Sequence, residues 1–214
     1  MRARGFLVEP PADALRQLEK AVEPSWASPK VADLSGWLWS SIDNDDSRDL
    51  DQIEYAKKEK NGTRVYVGVA DVDWFVPQNS PLDRAAQTNT TSVYTGVETF
   101  PMLPEPLSTG LSSLNEEGKR LAVVIEMLVS NGGDPGAILE SSIYPAVVQN
   151  KAQLTYNAVA GWLEGNPIED GTPTLQKINK SVELQDQLRM QDEAASLLRE
   201  RRHEAAPSRS IQRK

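Results

Sequence analysis

The chain has 214 residues, no cysteine and one histidine, His203, so a disulfide framework, a cysteine-ligated metal and a histidine-based catalytic triad are all excluded. Its formal net charge of −8 argues against strong unaided binding to a polyanion; the length suffices for one sizeable core, although the 39% apolar fraction is a little low for a well-packed globule. No apolar run approaches the length of a membrane span, and Met1-Arg2-Ala3-Arg4 is not followed by a signal-peptide core, so the expectation is a cytoplasmic protein with no membrane partner.

In chain order, Pro11 to Ala21 reads as a helix, with Leu15, Leu18 and Val22 at helical spacing after a Pro-Pro start. Glu23 to Lys30, carrying Pro24 and Pro29, reads as a linker. Strands are predicted at 37–43, 52–57, 64–72, 121–130 and 137–149. Asn61-Gly62 is a hairpin signal between the second and third, and Asn131 to Gly136 is a turn between the last two. Leu82 to Gln87 should form a short helix, and 95–120, rich in Pro, Gly and Ser, a long ordered loop. Tyr156 to Glu164 reads as a helix, Gly165 to Pro173 as a break, and Thr174 to Glu204 as one long amphipathic helix with Leu175, Ile178, Val182, Leu188 and Leu197-Leu198 along one side.

The densest chemical signal lies between Asp43 and Asp51, where Asp43, Asp45, Asp46, Asp49 and Asp51 are interrupted by one cation, Arg48. Carboxylates this close repel one another unless they are solvated or surround a cation. The run follows Gly36-Trp37-Leu38-Trp39-Ser40-Ser41-Ile42, which alternates as a half-buried strand does, so the acids project from a strand end. A divalent-metal site is the sharp reading, and a solvated acidic loop the bland one. A calcium loop is a further alternative: Asp43, Asp45, Ser47, Asp49, Asp51 and Glu54 match its ligand spacing, but Arg48 stands where that loop requires glycine. Trp37 and Trp39 read as core, and Trp74 and Phe75 as packing residues.

Ser41-Ile42-Asp43, five residues, then Asp49-Leu50-Asp51 resembles the catalytic acidic motif of the ribonuclease II / ribonuclease R family, the RNB-domain exoribonucleases. Further ordered matches are Val69 to Val76, Ser80 to Ala86 with Thr91-Ser92-Val93-Tyr94, Pro101 to Pro104 with Leu107-Ser108 and Leu111 to Asn115, Arg120-Leu121-Ala122, and Lys151 to Tyr156. The resemblance covers roughly residues 30 to 165 and departs from the family at Gln52, where a fourth aspartate is usual. It implies an α+β fold: a twisted, mixed but mainly antiparallel sheet of barrel-like type flanked by helices. The implied division is an N-terminal helix and linker at 1–30, a partial RNB catalytic domain at 31–204 and an unpatterned basic tail at 205–214.

The resemblance further implies hydrolysis of single-stranded RNA from its 3′ end with release of nucleoside 5′-monophosphates, served by Mg²⁺ or Mn²⁺. By position, Asp43, Asp49 and Asp51 match the metal ligands, with Asp51 most closely tied to catalysis. Gln52 stands in the same set with one negative charge fewer. Tyr94 matches the tyrosine that packs on RNA, and Tyr156 is a second candidate for that surface. Asp45 and Asp46 carry no implied role, and Arg48 is expected to pair with its acidic neighbours. The charge is uneven: 14 Lys/Arg against 25 Asp/Glu through residue 176, then 9 against 6 from Lys177 onward. Loss of the helical pattern near residue 205 leads to the expectation of a reading frame truncated or shifted there. A non-catalytic RNA-binding remnant and a calcium-binding module are the alternative functions, and neither RNA preference nor oligomeric state is set by the sequence.

Overall fold

Five strands close on one another through the longest of them. The structure, a computed structural model, describes residues 3, 5–22, 30–116, 118–166 and 172–205. The strands are β1 (Ala32–Asp33), β2 (Trp39–Asp43), β3 (Gln52–Glu59), β4 (Gly62–Ala70), β5 (Val93–Tyr94), β6 (Thr99–Phe100), β7 (Lys119–Ser130) and β8 (Ile138–Thr155). β2, β3, β4 and β7 pair in that order, and the 18-residue β8 returns along β7 before running parallel to β2, so the hydrogen bonding forms a ring. β1 adds to β8 in parallel, and β5 pairs with β6 in a separate hairpin. This is the α+β, mainly antiparallel, barrel-like sheet expected from the sequence.

The interior follows from alternation along the strands. Trp39, Ile53, Tyr66, Leu114, Val124 and Val148 form the central buried cluster. Gly68 sits within it because a Cβ there would press on Ile53 and Trp39. Trp37 lies in the turn before β2, yet stacks on Trp39 at 5.9 Å and meets Tyr55 and Tyr66 at 4.8 Å. Where β2 diverges from β3, the buried Gln187 substitutes for a strand partner: its Nε2 donates to Ala56 O at 2.8 Å and its Oε1 accepts from Ala56 N at 2.7 Å. That double bond satisfies a peptide which would otherwise be buried and orphaned.

The helices are α1 (Ala12–Leu18), α2 (Pro81–Asn89), α3 (Tyr156–Leu163), α4 (Pro173–Lys180) and α5 (Val182–Ala205). α1 packs on α2 through Ala14, Leu82 and Ala85. α3, α4 and the start of α5 close one side of the barrel through Val159, Ile178, Leu184 and Leu188. The rest of α5 crosses β4 and β7 through Ala194, Val65 and Val129.

Several expectations need correction. The single helix over 174–204 is two, because Ser181 adopts an extended conformation and its Oγ accepts from Leu184 N at 3.1 Å, capping α5. Val182, expected on the apolar stripe, is 71% exposed at that new helix start. α1 ends at Leu18, leaving Val22 outside it and exposed. The hairpin turn is Lys60-Asn61 rather than Asn61-Gly62; Gly62 already pairs with Glu59, and a Cβ on it would collide with Val129 O. The segment 95–120 is not uniformly loop but holds β6, a π-helical turn at Pro106–Leu111 and the start of β7. Trp74 is not a packing residue, since it lies half exposed in the 3₁₀ turn Val72–Trp74. Most of the linker read at 23–30, part of the break at 165–173 and the tail beyond 205 lie outside the described residues.

Candidate active site

The acidic loop connects β2 to β3, so Asp43 is the last residue of one strand and Gln52 the first of the next. A calcium loop of the helix–loop–helix kind is therefore not what these spacings encode, and Glu54 lies inside β3. Ser47 N donates to Asn44 O at 3.2 Å, making a turn that leaves Asp45 and Asp46 on an exposed tip. Asp43 Oδ1 accepts from Ser47 Oγ at 2.9 Å and Asn44 N at 3.2 Å, which holds that carboxylate against its own loop.

Leu50 anchors the loop. Its side chain is buried in the barrel core, its N–H donates to Ser113 Oγ at 3.0 Å, and its carbonyl accepts from Leu114 N at 2.8 Å. Asp51 O accepts from Ala70 N at 2.9 Å, tying the loop's end to β4. With Leu50 turned inward, Asp49 and Asp51 flank it as the half-buried and exposed carboxylates. Gln52 is exposed beside them.

Tyr94 approaches from β5. Its ring is 64% exposed, while its hydroxyl donates to Asp49 Oδ2 at 2.5 Å. That bond to a carboxylate, followed by burial, holds the phenol proton above the ordinary tyrosine range. Asp49, Arg48, Tyr94, Thr99, Ser108 and Thr109 are among the residues lining a cleft of about 420 Å³. Arg48 does not pair with its acidic neighbours as expected, but with Glu105, at 3.2 Å. Tyr156 lies on the other side of the loop. It opens α3, is 52% exposed, and borders a second cleft of about 330 Å³ with Asp43, Asp45 and Asp46. It is not a core residue at a strand end.

Sequence reasoning brought in Glu54 only as a ligand of the calcium-loop alternative. It follows Gln52 by two residues, and so shares its face of β3. It sits in an apolar groove of about 460 Å³ between β3, α3 and α5. Burial, reinforced by the charges of Asp43 and Asp51, raises its pKa to about 7. The strand alternation of Gln52 and Glu54 was the available signal. Ser113 was quoted only within a motif; the loop residues it contacts, Leu50 and Arg48, lie more than 60 residues away and left no local trace.

The donor chemistry suits a hard divalent cation: carboxylates from Asp43, Asp49 and Asp51, with a carboxamide from Gln52. Among the described residues, no three acidic or histidine side chains come together closely enough to enclose a metal ion. Mg²⁺ needs no such cage, since it typically takes one or two protein carboxylates and completes its shell with water and phosphate oxygens.

Residues 31–213 match the RNB domain, and the chain belongs to that family of 3′-to-5′ exoribonucleases. Among its curated relatives, it is 40% identical to ribonuclease R of Escherichia coli over 144 residues, which is 67% of this chain and 17% of that protein. It is 36% identical to ribonuclease R of Mycoplasma pneumoniae over 155 residues, 72% of this chain and 21% of that protein. Its fold matches the structure of Mycoplasma genitalium RNase R in complex with double-stranded RNA, with a TM-score of 0.81 at 28% identity, covering 95% of this chain and 34% of that one. The chain thus spans only 17–21% of the length of those curated relatives. Among the described residues no helix is long and apolar enough to cross a membrane.

Proposed function

We propose that the acidic loop serves Mg²⁺-dependent hydrolysis of single-stranded RNA from its 3′ end, releasing nucleoside 5′-monophosphates in the cytoplasm. The observation that carries this reading is the pinning of Leu50, which leaves Asp49 and Asp51 projecting on either side of it beside an exposed tyrosine ring. The RNA-bound state of the M. genitalium relative supports an RNA partner. One or two carboxylates drawn from Asp43, Asp49 and Asp51 would hold the cation, with Gln52 offering a neutral oxygen at the rim. When bound, the ion supplies an activated water and offsets charge on the scissile phosphate and leaving oxygen, and Mn²⁺ would substitute. Asp51 is the carboxylate assigned most directly to catalysis. The Tyr94 ring can stack a base without reading its identity, and Tyr156 offers a second ring across the loop. We assign 31–204 to the catalytic domain, 1–30 to an N-terminal helix and linker, and the residues from 205 to a basic tail.

A second reading, an RNA-binding protein without turnover, draws on Gln52, which removes one negative charge from the ligand set. Incubating 5′-labelled single-stranded RNA with the chain in Mg²⁺, Ca²⁺ or EDTA separates the two. The expected result is stepwise 3′ shortening in Mg²⁺ alone, abolished by Asp51→Asn while RNA affinity stays nearly unchanged, because affinity rests on phosphate contacts and stacking elsewhere. Near wild-type turnover by that variant would remove Asp51 from the mechanism. Binding without shortening in any metal would favour the second reading.

A further inference from the structure

We infer that Tyr94 and Ser113 are positioning residues for Asp49, Tyr94 acting on its carboxylate and Ser113 on the two peptides that flank it. Ser113 is 1% exposed; its Oγ accepts from Leu50 N at 3.0 Å, and its one proton faces two acceptors, Arg48 O at 2.9 Å and Asn115 Oδ1 at 3.0 Å. One hydroxyl therefore accepts from the peptide following Asp49 and lies within donating distance of the peptide preceding it. The side chain is fixed separately, by the 2.5 Å bond from the Tyr94 hydroxyl to Oδ2.

The Ser113 hydroxyl has a rigid frame of reference. Asn115 Nδ2 donates to Thr109 O at 2.9 Å, and Arg120 Nε and Nη2 donate to Ser113 O and Gly110 O at 3.0 and 3.1 Å. Asn150, buried in β8, donates to Leu114 O at 3.0 Å. The turn that carries Ser113 is thus fastened to the barrel wall. Asp43 needs no such help, since it ends β2 itself, whereas Asp49 lies outside any strand and takes its direction from this second segment. Partners that orient a ligating carboxylate commonly change metal affinity by roughly 10- to 100-fold when removed.

The inference rests on the reading of Asp49 as a metal ligand, and the test separates the two. Mn²⁺ binding to the 214-residue chain is measured by the loss of its free electron paramagnetic resonance signal, and RNA binding by fluorescence anisotropy in EDTA. Tyr94→Phe keeps the exposed ring and loses only the hydroxyl, so its fold is not at risk. We expect about tenfold weaker Mn²⁺ binding with unchanged RNA affinity. Tyr94→Ala should lose both, and Ser113→Ala should weaken Mn²⁺ binding to a similar degree with RNA affinity retained. Wild-type Mn²⁺ affinity in Tyr94→Phe and Ser113→Ala, alongside weakened binding in Asp49→Asn, would overturn the inference and leave the proposed function standing. Equal loss of RNA affinity in Tyr94→Phe and Tyr94→Ala would place the hydroxyl on the RNA and also overturn it. No saturable Mn²⁺ binding in the wild type would overturn the metal reading and this inference together.

Discussion

Arg64, on the same face of β4 as Tyr66, meets three carboxylates: Glu59 at 2.6 Å and Glu126 and Glu140 at 2.8 Å. Arg48 stands among five aspartates and pairs with none of them, reaching Glu105 instead. The first cluster is half-buried and internally satisfied, with Tyr144 donating to the remaining oxygen of Glu126 at 2.8 Å. The second lies at the surface, its carboxylates bonded to hydroxyls and peptide N–H groups but, among the described residues, to no cation of the protein. Charge compensation inside the barrel maintains the fold, because an ion buried without its partner is far more costly than the pair. The acidic loop instead tolerates mutual repulsion at a position where water and an added cation can reach it.

Breaking the internal cluster should have the largest effect on folding. Arg64→Ala removes the cation shared by Glu59, Glu126 and Glu140, and the unfolding temperature should fall measurably. Thermal unfolding followed by circular dichroism measures it. Asp46→Asn on the exposed tip should stay within about 0.5 kcal/mol of wild type in the same assay. Equal effects from the two variants would show that the clusters are not handled differently.

Glu54 belongs to the acidic side of the comparison, with Asp43 and Asp51 as its charged neighbours, and pH should expose it. Its folded-state pKa of about 7 exceeds the ordinary 4.5, so between those values the folded chain retains a proton that the unfolded chain has released. This protonation contributes stability fully below pH 4.5, and that contribution is lost as pH rises through 7. The change is on the order of 3–4 kcal/mol at ~1.4 per unit. Glu54→Gln should flatten the dependence of the unfolding free energy on pH over that window. Mg²⁺ should shift the wild-type window downward by offsetting Asp43 and Asp51. A wild-type profile already flat from pH 4.5 to 7 would remove Glu54 from the account.

Tyr94 tests the ligand side of the comparison. Replacing it by Ala should cost roughly 1–3 kcal/mol of single-stranded RNA affinity by loss of stacking, with a shift in the length of the last undegraded oligonucleotide. Little change in unfolding temperature should accompany this, since the ring is mostly exposed. An unchanged end product and affinity would make the residue structural.

What could be read from the sequence was what neighbouring residues encode. Strand alternation around Trp39 and Ile53, the short helix read over 82–87 and the density of aspartates between β2 and β3 are local patterns, and each appears in its expected place, the helix running from Pro81 to Asn89. Contacts between distant segments left no such trace. Gln187 filling the edge of β3 is separated from Ala56 by 131 positions, and Ser113 from Leu50 by 63. Ser181 looks like any polar residue within a helical period until its backbone turns extended and its hydroxyl caps α5. Gly62 announced a turn but is required for close approach to β7. Arg48 shows the hazard of local reasoning about charge, because its nearest acids in sequence are not its partner.

The smallest predicted effect concerns Gln52, where the resemblance led to the expectation of an aspartate. Gln52 begins β3, opposite Val69, and is exposed beside Asp51 and on the face that also carries Glu54. Gln52→Asp adds a formal charge where repulsion is already high, so without a cation the variant should be slightly less stable than wild type, by under about 1 kcal/mol. The same charge should tighten divalent-ion binding, because ligand charge count is a principal determinant of affinity at oxygen sites. The signature is a crossover: lower melting temperature in EDTA and a larger rise on adding Mg²⁺ than wild type shows. Glu54 should respond too, its pKa climbing further in EDTA as a third carboxylate joins Asp43 and Asp51. A variant that melts lower in EDTA yet gains no more from Mg²⁺ than wild type would place residue 52 outside the ligand shell.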